Sequence, residues 1–344
     1  MLLEWARDLG KTYAFLDSHV HPFDVLTGDT AYQTSERYDM LFSKGGSVYH
    51  GPVIDEKLEN DSSCHLFGAG NERAYLLASR FKYTHTGAKV ISDQLAAAGL
   101  SGALLLPVAR LPGKAEEMLD ATKMMFPDES SVYCACAYPV GLPADKLAEF
   151  FCTAREHYKI CAIKLHLNLA GIDPAAQNGH DLVEATLDAA GALELPVIIH
   201  GGRTSSLKPS GAAEYGLLSH LEAIDWSLST APVIIAHAGC YELVEDEAST
   251  ALSKLDTLFQ KYPNLMADTS NLGPLSLRLV LKEVSHDRLV FGSDALYVPI
   301  WKAWLVFLQA LQDVSPSPDT DLIHIASLNP ADCLGLSFLK GNHD

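Results

Sequence analysis

The sequence predicts an α/β protein, a (β/α)8 TIM barrel with a cap-like insertion after its first strand. Three observations predict it. Eight short apolar runs alternate with helix-patterned segments, as a parallel barrel requires. Beyond position 100 the alternation repeats at about 35 residues, one βα unit each time. Single polar residues then recur at the ends of several different runs, where such barrels place their chemistry. That recurrence also argues against the rival arrangement, a doubly wound open sheet.

The strands are expected at residues 14–21, 103–108, 132–138, 161–167, 197–200, 233–237, 265–269 and 289–293. Most are short runs rich in leucine or β-branched residues, as strands buried on both faces should be. Helices are expected at 115–126, 143–157, 180–193, 212–229, 245–262 and 274–284, with Gly, Pro, Asn and Asp at the joins.

The regularity breaks once. About 80 residues separate the first strand from the second, where about 35 would serve. Residues 22–90 are polar, Gly-rich and aromatic, with Tyr32, Tyr38, Phe42, Tyr49, Phe67, Tyr75, Phe81 and Tyr83. A segment inserted after strand 1 emerges at the catalytic face of a barrel. It is read as a lid on one domain spanning 1–344, since long loops in compact domains are commonly functional.

Composition bounds the function. The net charge is −18, from 25 basic and 43 acidic residues. Nucleic-acid binding needs a basic footprint, so it is not expected. An anionic small molecule stays compatible, because a local arginine or metal reverses the field within a pocket. No apolar run reaches the roughly 20 residues of a membrane helix. The seven scattered cysteines suggest no disulfide framework. Cys134 and Cys136 read as small buried hydrophobes. The N-terminal segment carries charges and no basic leader, so a cytoplasmic location is expected. The partner expected is a small-molecule substrate, with homo-oligomerisation left open.

The first chemical motif is Leu16-Asp17-Ser18-His19-Val20-His21. Alternate strand residues face the same way, so His19 and His21 present two imidazoles side by side. Neutral imidazole is the commonest ligand for zinc and its neighbours. Alone, the pair reads equally as structural. Two further strands end alike, Pro196-Val197-Ile198-Ile199-His200-Gly201-Gly202-Arg203 and Pro232-Val233-Ile234-Ile235-Ala236-His237-Ala238-Gly239. Small residues after each histidine let backbone approach an ion or ligand. Leu289-Val290-Phe291-Gly292-Ser293-Asp294 ends the last strand on an aspartate. That group is costly to bury unless it is paired or holds a metal, and its bland reading is a helix cap.

Lys164 and His166 share one face of the fourth strand. A lysine in an apolar strand must find a partner or change its charge. It reads as a neutral amine, as an ion-pair partner, or as a carbamate bridging two metals. Arg203 and Arg110 each read as a fork for a substrate carboxylate or as a loop salt bridge. Asn271 and Tyr297 fall at strand exits and are candidate pocket residues.

Taken together, His19-x-His21, Lys164, His200, His237 and Asp294 resemble the amidohydrolase superfamily. They are similar in particular to its amidohydrolase-related, metal-dependent TIM-barrel hydrolases. Lys164 to His200 spans 36 residues and His200 to His237 spans 37, one βα unit each. The tail Leu328-Asn329-Pro330-Ala331-Asp332-Cys333-Leu334-Gly335-Leu336 is similar to the close of many members. The resemblance implies one or two divalent metals, usually zinc and sometimes manganese. His19, His21, His200 and Asp294 would hold the first. His237 would bind a second or polarise the substrate. Lys164 matches the position that is carbamylated in two-metal members, and His166 would face the substrate.

The expected reaction is hydrolysis of an amide, lactone or other ester, with Asp294 moving the proton. The alternative is a lyase, resembling the superfamily's non-oxidative decarboxylases of aromatic or dienoic acids.

Overall fold

The computed structural model describes residues 2–22, 88–126, 131–295 and 299–336. Nearly all of the expected insertion at 22–90, and Tyr297, lie outside the described residues. The strands are β1 (Leu16–Val20), β2 (Gly102–Leu105), β3 (Val132–Ala137), β4 (Ala162–Leu165), β5 (Val197–Ile199), β6 (Val233–Ile235), β7 (Leu265–Asp268) and β8 (Leu289–Val290). They follow one another in chain order in one sheet. Parallel strands in sequential order with helical crossovers make a (β/α)8 barrel, as the alternating pattern predicted. The chain divides into two compact units, each described below.

The second unit, Leu106–Asp120 with Cys134–Asp268, holds β4 to β7 and most of β3. Its register is regular. Ile163 pairs Val197, Val197 pairs Val233, and Val233 pairs Leu265. All four side chains are fully buried, so strands covered on both faces can be continuously apolar. Pro196 and Pro232 lack an N–H to donate, but their carbonyls accept from Ile163 and Val197 just ahead of each strand. Lys164 lies in the next layer, paired with Ile198, and is 1% exposed.

The first unit holds β1, β2 and β8. β1 pairs with β2 through Leu16 and Gly102. On its other edge Ser18 N–H donates to the Phe291 carbonyl at 2.9 Å, and Asp294 N–H to the His19 carbonyl at 2.8 Å. β8 and its exit thus pair with β1, the closure a barrel needs. The helix α1 (Leu2–Leu9) packs in this unit with α2 (Ala88–Ala98), α3 (Pro274–Glu283) and α4 (Ile300–Val314). Trp304 of α4 sits among Phe15, Phe291 and Phe307, with ring centroids 4.7–5.8 Å apart. Buried Gln94 accepts the free N–H of Ile300 at 2.7 Å and so caps α4 from α2.

One expected helix is corrected. Residues 212–229 are not continuous but break into Ala212–Glu214, Leu218–Leu221 and Trp226–Leu228. Gly216 instead bridges to Gly202, whose N–H donates to the Gly216 carbonyl at 2.6 Å. Asp225 then caps its own turn by accepting from Ser227 N–H. Cys136 is buried, and burial pushes its thiol well above the usual range, in keeping with a small hydrophobe. No helix among the described residues is long and apolar enough to cross a membrane.

Candidate metal centre

In the first unit, β1 and the exit of β8 bring three expected ligands together. His19 on β1 and His21 just beyond it lie two residues apart, and their side chains are 0% and 4% exposed. His21 Nε2 is 2.9 Å from Asp294 Oδ1, and His19 Nε2 is 3.4 Å from the same oxygen. Neutral imidazole nitrogens and a carboxylate oxygen are all acceptors, so their convergence away from water calls for a cation or proton among them. Ligand atoms about 2.1 Å from one ion lie about 3–3.4 Å from each other. The donor set therefore fits a divalent ion.

The backbone aims Asp294 at a cost. Its φ is 58°, the left-handed region that disfavours side chains by about 1–2 kcal/mol. Asn271, likewise left-handed at φ 45°, donates from Nδ2 to Asp294 Oδ2 at 2.8 Å. This leaves Oδ1 toward the histidines. Asn271 was expected in the substrate pocket; its amide is committed to the carboxylate. Its own Oδ1 is buried and has no hydrogen-bond partner among the described residues.

The histidines are braced as well. Asp17 Oδ1 accepts from His19 N–H at 3.2 Å and from Ser293 N–H at 2.9 Å, tying β1 to the β8 exit. Ser270 Oγ lies 3.0 Å from His19 Nδ1. With Nδ1–H donated to that hydroxyl, the Nε2 lone pair faces Asp294. Gly292 is needed here, because a Cβ would stand 2.7 Å from His19 Cβ and 3.0 Å from Ser270 Cβ.

In the second unit, β4 to β6 supply the remaining candidates. Lys164, His166, His200 and His237 are all buried. His166 stacks on His200 with centroids 4.0 Å apart, and its Nδ1 accepts from Leu169 N–H, capping the turn Leu167–Ala170. His200 Nε2 lies 3.2 Å from Thr204 Oγ1. His237 follows β6 in a kink where it and Ala238 are both left-handed, φ 57° and 47°. Asp268, ending β7, holds that kink by accepting His237 N–H at 2.7 Å. Tyr241 packs against both rings, 5.4 Å from His200 and 4.6 Å from His237.

Arg203 is engaged by carboxylates of its own chain. Its NH1 and NH2 donate to the two carboxylate oxygens of Glu247 at 3.0 Å each, with Glu214 nearby. The Glu247 hydrogen bonds raise its pKa above the ordinary value. The fork expected for a substrate carboxylate is thus occupied. Arg110 is half-buried beyond β2.

Ser270, Asp268, Thr204 and Tyr241 were not foreseen. Each is polar, close to a strand exit and buried, but only burial distinguishes it from a loop residue. The adjacency of Asp268, Thr269, Ser270 and Asn271 at the end of β7 was the available sign.

The family model described as amidohydrolase matches residues 16–336. No curated protein matches the sequence. Among solved structures, the chain is similar to a probable 2-pyrone-4,6-dicarboxylic acid hydrolase from Acinetobacter baumannii with citric acid bound. That match has 16% identity, covers 94% of this chain and 99% of that one, and has a TM-score of 0.53. It is also similar to an amidohydrolase from Burkholderia multivorans with bound zinc, at 12% identity, 94% and 99% coverage and TM-score 0.53. A third is a 5-carboxyvanillate decarboxylase from Novosphingobium aromaticivorans with bound manganese, at 12% identity, 94% and 97% coverage and TM-score 0.52. At these identities the three structures share the fold. Because the family match runs from the first residue of β1 to the end of the described chain, the protein belongs to the amidohydrolase family and is an enzyme of it.

Proposed function

We propose that the protein is a metal-dependent hydrolase acting on an amide, lactone or other ester bond of a small substrate. The observation that carries this reading is the convergence of His19 Nε2 and His21 Nε2 on one buried oxygen of Asp294. His19, His21 and Asp294 would hold the ion, with zinc favoured over manganese by the imidazole-rich donor set. When bound, the ion supplies a Lewis acid that lowers the pKa of its bound water to about 7.

The chain's own groups do the rest. Asp294 would accept the proton of the attacking water and return it to the leaving group. Asn271 holds Oδ2, so the carboxylate keeps one orientation through both transfers. His237, fixed by Asp268, polarises the scissile carbonyl or holds a second ion. As an amine, Lys164 would pair with a substrate carboxylate; as a carbamate formed by adding carbon dioxide to its Nζ, it would instead supply a carboxylate for metal. Metal stoichiometry separates the two. His166 and Arg110 would contribute to the substrate pocket. The net charge of −18 supports a small-molecule partner and disfavours nucleic acid.

A second reading is non-oxidative decarboxylation, with Asp294 handling a proton at carbon. It is supported by the decarboxylases that share this fold. A panel of lactones, amides and carboxylated aromatics tests both. Hydrolysis without carbon dioxide release supports the first reading. Release of carbon dioxide overturns it in favour of the second.

A further inference from the structure

We propose that the exit of β7 positions the metal site, Ser270 by fixing the tautomer of His19 and Asn271 by fixing the carboxylate of Asp294. The proposal rests on the metal reading above and extends it to residues that ligate nothing themselves.

Three observations carry it. Ser270 is fully buried, and its hydroxyl lies 3.0 Å from His19 Nδ1. A neutral imidazole carries one proton. Anchoring it on Nδ1 leaves Nε2, 3.4 Å from Asp294 Oδ1, as the nitrogen with a free lone pair. Asn271 Nδ2 donates to Asp294 Oδ2 at 2.8 Å, so Oδ1 is the oxygen that meets His21 Nε2 at 2.9 Å.

Asn271 is also left partly unsatisfied. Its φ is 45°, and its Oδ1 is buried with no partner among the described residues. A buried amide with half its capacity unsatisfied calls for an explanation, and a functional constraint supplies one. Adjacent residues of one turn thus orient one ligand from β1 and one from the β8 exit. Outer-shell partners of this kind fix ring orientation and ligand basicity.

The test is a zinc titration of the metal-stripped, full-length protein against a competing chromogenic chelator. It compares wild type, Asn271→Gly and Ser270→Ala. Glycine tolerates the left-handed backbone, and alanine removes a single oxygen, so thermal unfolding of the metal-free variants should match wild type within a few degrees. Zinc affinity is expected to fall about 10- to 100-fold in each. Ser270→Thr, which keeps the hydroxyl, should recover most of the loss. If wild type binds zinc and both variants bind it within twofold, the proposal is overturned while the metal reading stands. If wild type itself takes up no zinc, the metal reading falls and the proposal with it.

Discussion

Asp294 carries most of the chemistry inferred for this protein, and its surroundings show how one residue can be specified twice. The left-handed backbone sets where its carboxylate emerges, and Asn271 sets how it is turned. Asparagine tolerates the same backbone region, so Asp294→Asn should leave the fold intact. Activity should nevertheless drop by about 100- to 10,000-fold, the usual contribution of a proton-transfer group. Steady-state rates on the best substrate of the panel check this, with circular dichroism confirming the fold. Arg203 makes the opposite case. Its bidentate pair with half-exposed Glu247 is worth about 1 kcal/mol at most. Arg203→Ala should therefore lower stability slightly in denaturant melts and leave substrate KM unchanged. A large rise in KM would restore it to the substrate pocket. At this scale the candidate ligands were legible, because a period of two along β1 and a histidine or aspartate after an apolar run are patterns in the sequence. Their braces were not. Ser270 and Asp268 look like any loop polar residue until burial and a 3 Å neighbour single them out.

Elements show why the candidates sit at strand ends. β5 and β6 are three residues long, so their polar residues fall just beyond the pairing, where the chain can turn. His237, Ala238, Asn271 and Asp294 adopt left-handed backbone there, after β6, β7 and β8. Gly292, at the exit of β8, is another close joint. Gly292→Ala would press a methyl onto His19 and Ser270, and overpacking of this kind costs about 1–3 kcal/mol. The expected result is a lower midpoint in denaturant together with weaker metal uptake; unchanged values of both would show that β1 and the β8 exit can yield. All eight strands were legible because apolar β-branched runs between Pro, Gly and Asp have few other readings. The helix expected at 212–229 was not, because Gly216 is drawn into a bridge with Gly202 that no local periodicity encodes.

At the scale of the whole molecule, the barrel and the family were legible from the repeat of one βα unit and from the order of its polar strand ends. The substrate was not, because it depends on groups that no single strand pattern carries. Gathering buried acceptors in an interior destabilises a protein unless a cation joins them, so the ion should stabilise the fold. Removing it with a chelator should lower the melting temperature, and adding zinc back at 100-fold excess over its Kd should return about 2.7 kcal/mol. The central claim is that β1 holds a catalytic metal through His19 and His21. Elemental analysis of the purified protein tests it most directly, alongside a His19→Ala, His21→Ala double variant. The account predicts about one or two equivalents of a divalent transition metal in the wild type and loss of both metal and activity in the variant. A wild-type protein that turns over substrate with no bound metal would contradict it.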